Sequence, residues 1–141
     1  MTLVVDAGPL IAMADGQDPD RALVRRLIEN EPGQVILPAY VATEADYMIA
    51  QRIGSHAERI FLHDLASGTY SVQGLTEEEY QLAVEFDQDH PGMGLADLSV
   101  IVLAARYRTR RILTFDERDF RRVRPLDGDS FFLLPADLER G

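Results

Sequence analysis

The chain has 141 residues, 46% of them hydrophobic and 27% charged, the composition of an ordinary globular domain. A chain of that length buries about two thirds of its unfolded surface around one core, so a single domain over residues 1–141 is expected. With no cysteine and no lysine, disulfides, thiolate metal sites, cysteine nucleophiles, lysine-dependent phosphate loops and Schiff-base chemistry are excluded.

In chain order, short apolar runs rich in Val, Ile and Phe alternate with longer stretches of helical spacing, the pattern of strands and helices around a mostly parallel sheet. The opening "LVVDAGPLIA" predicts a strand over Leu3–Asp6 and a helix over Pro9–Ala14. A helix at Arg21–Glu31 leads to a strand at Val35–Leu37, helices at Ala39–Ile53 and His56–Ala66, and a strand at Tyr70–Val72. Thr76 followed by Glu79 has the spacing of a capping box and opens a helix over Glu77–Asp87. The most apolar helix, Leu95–Tyr107, precedes strands at Arg111–Thr114 and Phe131–Leu134. No apolar run approaches the roughly 20 residues of a bilayer span, and the first residues lack the basic and apolar regions of a signal peptide. A cytoplasmic location and no membrane contact are therefore expected.

In open α/β sheets, ligands bind beyond the carboxyl ends of the strands. Asp6 closes the first predicted strand, and Asp116, in "RILTFDERDF", follows the fourth. Each can serve as a turn or N-cap residue, or both can point to one shared rim. In "PAYVATEADYMIAQRIG", stepping 100° per residue puts Glu44 about 60° from Val41 and about 40° from Met48, inward on the edge of the apolar stripe, while Asp46 points well away. Asp97, in "GMGLADLSVIVLAARY", falls within the stripe of its helix, three and four residues before Val100 and Ile101.

A bare carboxylate on a buried stripe costs several kcal/mol unless a cation or hydrogen-bond donors satisfy it. For Asp97 the free N–H groups and dipole of the first helical turn after Gly94 offer one solution, and a bound cation offers another. Glu44 reads equally as a partly solvated helix-edge residue.

The net charge of −10 argues against nonspecific nucleic-acid binding, since phosphates need local cations. Eight of the fourteen arginines nevertheless lie between Arg106 and Arg124, opposed there only by Asp116, Glu117 and Asp119, a formal charge of +5. That stretch is either a basic face or a solvated helix surface. His56, His63 and His90 are expected in surface or packing roles.

Four motifs, "VVDAGPLIA", Glu44 after "VILPAYVATE", "LADLSVIVLAA" and "RILTFDERDF", stand in an order and spacing that resemble the PIN-domain ribonucleases, in particular the VapC-type toxins of bacterial toxin–antitoxin pairs. The resemblance runs from residue 3 to about residue 134. It implies a PIN-like α/β/α sandwich, with a mostly parallel five-stranded central sheet and helices on both faces. It also implies an acidic pocket at the carboxyl end of the sheet that binds one or two Mg²⁺ or Mn²⁺ ions. The matching acids are Asp6, Glu44, Asp97 and Asp116; Thr114 stands where such proteins often carry an orienting hydroxyl, and Asp119 is a substitute for Asp116 further beyond the strand.

The chemistry of the set agrees with that implication. Crowded carboxylates raise one another's pKa values until a divalent ion resolves the repulsion. Oxygen ligands without His or Cys suit Mg²⁺ or Mn²⁺ rather than zinc. The implied activity is a metal-dependent endoribonuclease that hydrolyses RNA phosphodiesters with an activated water, leaving 5′-phosphate and 3′-hydroxyl ends. The implied partners are an RNA substrate, a cognate antitoxin over the pocket and a second copy of the chain in a homodimer, for which Tyr47, Phe61 and Leu62 are candidate apolar surface. The alternative is a PIN-fold module that binds RNA or protein without cleaving. A haloacid-dehalogenase-type phosphotransferase is excluded, because Gly8 stands where that family needs a second Asp.

Overall fold

The computed structural model describes residues 2–126 and 128–139. Five strands form one sheet: β1 (Thr2–Val5), β2 (Gln34–Pro38), β3 (Ser71–Gln73), β4 (Arg111–Leu113) and β5 (Phe132–Leu134). Their order is β3-β2-β1-β4-β5, and every pairing is parallel, where the sequence predicts a mostly parallel sheet. Parallel strands covered on both faces read as unbroken apolar runs rather than alternating ones. Leu3, Val4 and Val5, and likewise Ile36 and Leu37, are buried side by side.

The helices are α1 (Ala7–Ala14), α2 (Arg21–Glu29), α3 (Ala39–Arg52), α4 (Ser55–Ala66), α5 (Glu77–Asp89), α6 (Leu95–Arg106) and α7 (Glu117–Arg122), followed by a 3₁₀ turn at Ala136–Glu139. The predicted elements are all present, with ends shifted by a few residues, as is usual where helices fray and strands give way to turns. Two elements go beyond the sequence prediction, α7 and the 3₁₀ turn. The first group of helices, α1 to α4, packs together, and α5 packs on α6. Parallel neighbours cannot be joined by tight hairpins, and the helices supply the crossover connections that such a sheet requires.

Helix α6 lies against β1, β2 and β4, and its residues from Leu98 to Ala104 are all buried. It is apolar all round because it is covered all round. Its last turn is tied to the start of α5. Thr76 caps α5 and Glu79 reaches back to the Thr76 N–H (2.9 Å), completing the predicted capping box. The Arg106 guanidinium donates to both Glu79 oxygens and to the Gly74 carbonyl. A second cross-tie joins Glu31, after α2, to Arg111 on β4 at 2.7 Å.

The strand order reverses between β1 and β4, whose register pairs Val4 with Ile112 and Val5 with Leu113. That reversal leaves a crevice beyond the ends of these two strands, the usual place for a ligand in such a sheet.

Candidate metal centre

The last residues of β1 and β4 bring two parts of the chain together at the crevice. Asp6 is the N-cap residue of α1 rather than the end of β1, although its N–H still bonds to the Leu113 carbonyl (2.9 Å). Its carboxylate makes no capping hydrogen bond. The buried side chain instead accepts the Thr114 hydroxyl at 2.7 Å. Thr114 Oγ1 in turn accepts the Asp116 N–H (2.9 Å), and Asp116 accepts the Asp119 N–H (2.9 Å) as the N-cap of α7. One hydrogen-bonded chain therefore fixes the turn after β4 against the first acid.

Helix α7 is what gathers the remaining acids. Residues three apart face the same side of a helix, so Asp119 turns back beside Asp116 instead of lying further out. Asp97, in the first turn of α6, meets both. Each of Asp97, Asp116 and Asp119 offers a carboxylate oxygen within 4.8 Å of the other two, and all three residues are half-buried. Among the described residues this is the one acidic set with such spacing. The sequence held a signal for α7, since Asp116 at an N-cap, acids in the first turn and Arg121 and Arg122 in the last turn all mark a short helix.

Asp6 and Glu44 stand around this trio rather than within that spacing. Periodicity predicts that Glu44 faces inward. Instead it is exposed, because Val41, Ala45 and Ile49 already fill the inner face of α3. It still senses the crevice, since partial burial and the charge of Asp6 raise its carboxyl above the usual value. Asp46, expected well away from the apolar stripe, is half-buried and faces Glu58 of α4, whose carboxyl it raises.

Burial and mutual repulsion dominate the electrostatics. Asp6 is raised, mainly by burial, with Asp116 and Asp119 adding to the shift; the Thr114 hydroxyl and the Ala7 N–H only partly offset it. Asp97 is pushed up to about 7, first by burial and then by Asp6, Asp116, Asp119 and Glu44. A helix N-terminus favours an anion by about 0.3–1 kcal/mol, too little to outweigh burial among four other acids. Among the described residues, Arg122 supplies the one ion pair to these acids, 3.2 Å from Asp119. An acceptor-only set with so little compensating charge fits a hard divalent cation, whose oxygen ligands are of this kind.

The basic stretch divides in two. Arg106, Arg110, Arg111, Arg121 and Arg122 are spent on Glu79, Asp129, Glu31, Asp137 with Glu117, and Asp119. Arg108, Arg118 and Arg124 are exposed and make no ion pair among the described residues. His56 and His63 are exposed and His90 stacks on Phe86, as expected. Of the candidate apolar surface, Tyr47 and Leu62 are exposed while Phe61 belongs to the core.

Comparison with known proteins follows the same lines. The PIN domain family profile matches residues 3–125. The chain is 36% identical over 135 residues to "Ribonuclease VapC26" of Mycobacterium tuberculosis (strain ATCC 25618 / H37Rv), covering 94% of this chain and all of that protein. The crystal structure of Mycobacterium tuberculosis VapC20, described as a sarcin-ricin loop cleaving toxin, superposes with a TM-score of 0.72 at 19% identity, covering 82% of this chain and 91% of that one. VapBC2 from Rickettsia felis, bound to a DNA fragment from its promoter, gives a TM-score of 0.64 at 15% identity, over 94% and 97% of the two chains.

Proposed function

Because the chain belongs to the PIN-domain family, we propose that it is a metal-dependent endoribonuclease and the toxin of a toxin–antitoxin pair. The carrying observation is the set of three carboxylate oxygens within 4.8 Å of one another at the sheet's switch point, short of compensating cations. Mg²⁺ or Mn²⁺ suits this set. Asp97, Asp116 and Asp119 would hold the ion, with Asp6 behind them and Glu44 at the outer edge. A bound ion supplies Lewis-acid polarisation of the phosphate and makes an attacking water more acidic.

The chain's own residues set the conditions for that chemistry. Thr114 holds the Asp6 carboxylate in one orientation and, through Asp116, fixes the start of α7. Asp97 lies between its protonated and charged forms near neutral pH, so cation binding is coupled to loss of its proton. Arg118, exposed on α7 beside Asp119, offers a cation to an RNA phosphate that the acids alone would repel.

The partners follow from the same reading: RNA as substrate, and an antitoxin that covers the acidic crevice, with charge complementarity as its rationale. A homodimer would use exposed apolar side chains such as Tyr47 and Leu62. A cytoplasmic site of action belongs to the same proposal; among the described residues no helix is long and apolar enough to cross a membrane.

Incubating the purified chain with structured RNAs in Mg²⁺, Mn²⁺ or chelator, beside the Asp6→Asn variant, tests the proposal. Cleavage with the metals alone, lost in the variant, is the expected result. RNA bound tightly but left intact by the wild-type chain in both metals would favour a non-catalytic binding module instead.

A further inference from the structure

At the end of the sheet opposite the acids, a cleft of about 510 Å³ opens among Thr2, Tyr107, Arg108, Thr109, Arg110 and Phe132. Among the described residues its wall carries no carboxylate. Arg111, also on the wall, is occupied by Glu31, but the other two arginines are not held in this way. Arg108 has no ion-pair partner among the described residues, and Arg110 meets only Asp129, at 3.3 Å, with side chains 51% and 88% exposed. Exposed pairs of this kind contribute little and exchange readily for another anion.

The backbone under Arg108 is unusual. It follows the end of α6 in the left-handed region, with φ at +53°, where glycine or asparagine is the low-energy choice. The turn is held in place by the Thr109 N–H on the Ala104 carbonyl (2.9 Å) and by the Thr109 hydroxyl on the Thr2 carbonyl (2.6 Å). An arginine kept at a conformational cost on the wall of a cleft, with no ion-pair partner among the described residues, is open to an external anion. Beside it Phe132, on the edge strand, is 38% exposed, and Tyr107 is half-buried. Flat apolar rings interleaved with arginines suit stacked bases and a phosphate backbone better than an acidic peptide, which needs no stacking surface.

We propose that this cleft is a second RNA-binding surface: a single-stranded stretch away from the scissile bond sets its phosphates on Arg108 and Arg110 and stacks a base on Phe132. The inference rests on the ribonuclease reading above and adds to it a place for the flanking strand. Strand β1 runs from Thr2 at this cleft towards Asp6 at the acids, a rise of about 13 Å; because β1 is central and buried, an RNA that meets both ends passes round the outside of the fold. In a chain of net charge −10, local cations are also what allows an RNA to approach at all.

The test measures binding of a fluorescent 2′-O-methyl RNA of about 12 nucleotides, which resists cleavage, to the full chain in chelator across a range of salt. Arg108→Gly relieves the backbone while removing the cation, and it is combined with Arg110→Gln. The double variant should bind about tenfold more weakly, and its slope of log K against log salt should fall by about 1.4, the value for two lost phosphate contacts on a single strand. Phe132→Thr, which keeps strand propensity, should weaken binding several-fold with the slope unchanged. If the double variant melts early, Arg108→Gly alone must lower the slope by about 0.7. Unchanged affinity and slope in these variants, or tighter binding of a poly-glutamate peptide than of the RNA, would overturn the proposal. Its failure is separable from that of the ribonuclease reading: metal-dependent cleavage that survives Asp97→Asn removes the reading, whereas unchanged binding beside normal cleavage removes only this surface.

Discussion

The two ends of helix α6 carry carboxylates with opposite fates. At its C-terminal end Glu79 of α5 meets Arg106 and the Thr76 N–H, and the Arg106 hydrogen bonds hold its carboxyl down at about 2. At its N-terminal end Asp97 meets Asp6, Asp116, Asp119 and Glu44, and burial among these acids pushes it up to about 7. Both involve a helix dipole favourably, so the dipole does not distinguish them; Asp97 is the more deeply buried, and burial is the first cause of its shift, whereas at Glu79 the Arg106 hydrogen bonds outweigh it. The partners differ as well. Glu79 is satisfied inside the protein and serves stability, whereas Asp97 is left in deficit, as the proposed metal site requires.

This contrast can be broken experimentally from either end. The largest effect is expected for Asp97→Asn, which should lower metal-dependent RNA cleavage on the order of a thousandfold, as loss of a direct electrostatic contributor does. In the metal-free protein the same change removes a repelled charge, so its melting temperature in chelator should hold or rise; a large drop would place Asp97 with the structural carboxylates.

Arg106→Ala should do the reverse, leaving Glu79 half-buried without its cation at a cost of about 2 kcal/mol, read from urea unfolding. Cleavage per folded molecule should be unaffected by that change. Thr114→Val sharpens the acidic end, since it removes the donor that orients Asp6 and the acceptor for the Asp116 N–H. Loss of hydrogen bonds that orient acids of the proposed metal site should reduce activity or metal affinity about tenfold, measured by titrating Mn²⁺ against cleavage rate.

The smallest effect is a difference in pH dependence. Folded Asp97 keeps its proton up to about pH 7, against an ordinary value of 3.8, so between those values the folded chain binds more protons than the unfolded one. Metal-free stability should therefore fall as pH rises through that window. Glu79 contributes with the opposite sign: its stabilisation is complete above its ordinary value of 4.5 and is lost as pH falls towards about 2. Melting curves from pH 3 to 8 in chelator should show both limbs. Adding Mg²⁺ or Mn²⁺ should restore stability mainly on the alkaline side, where the carboxylates are charged and free to bind it.

Much of this is legible in the amino-acid sequence, for local reasons. Unbroken runs such as Leu3–Val5 and Val35–Leu37 announce strands buried on both faces, and the Thr76–Glu79 spacing announces the start of α5. A carboxylate just after a strand, as at Asp6 and Asp116, reads as well as a turn or N-cap residue, and Asp97 on its apolar stripe as well as a first-turn acid; only the ordered set points to a site. The alternation of elements places Asp6 and Asp116 at one rim on the condition that their strands are parallel, and the pairing of β1 with β4 meets it.

What the sequence could not supply depends on how separate elements meet. Periodicity within α3 sets Glu44 at the edge of the stripe, but only the packing of Val41, Ala45 and Ile49 decides that it is exposed. Asp119 lies further from the strand than Asp116 in sequence, yet one turn of α7 brings it into the trio with Asp97. The arginine-rich stretch looks uniform as a string of letters. Tertiary contacts divide it into guanidiniums neutralised by Glu31, Glu79 and Asp137 and a few with no ion pair among the described residues, because pairing is a matter of distance in space that no residue's own neighbourhood encodes.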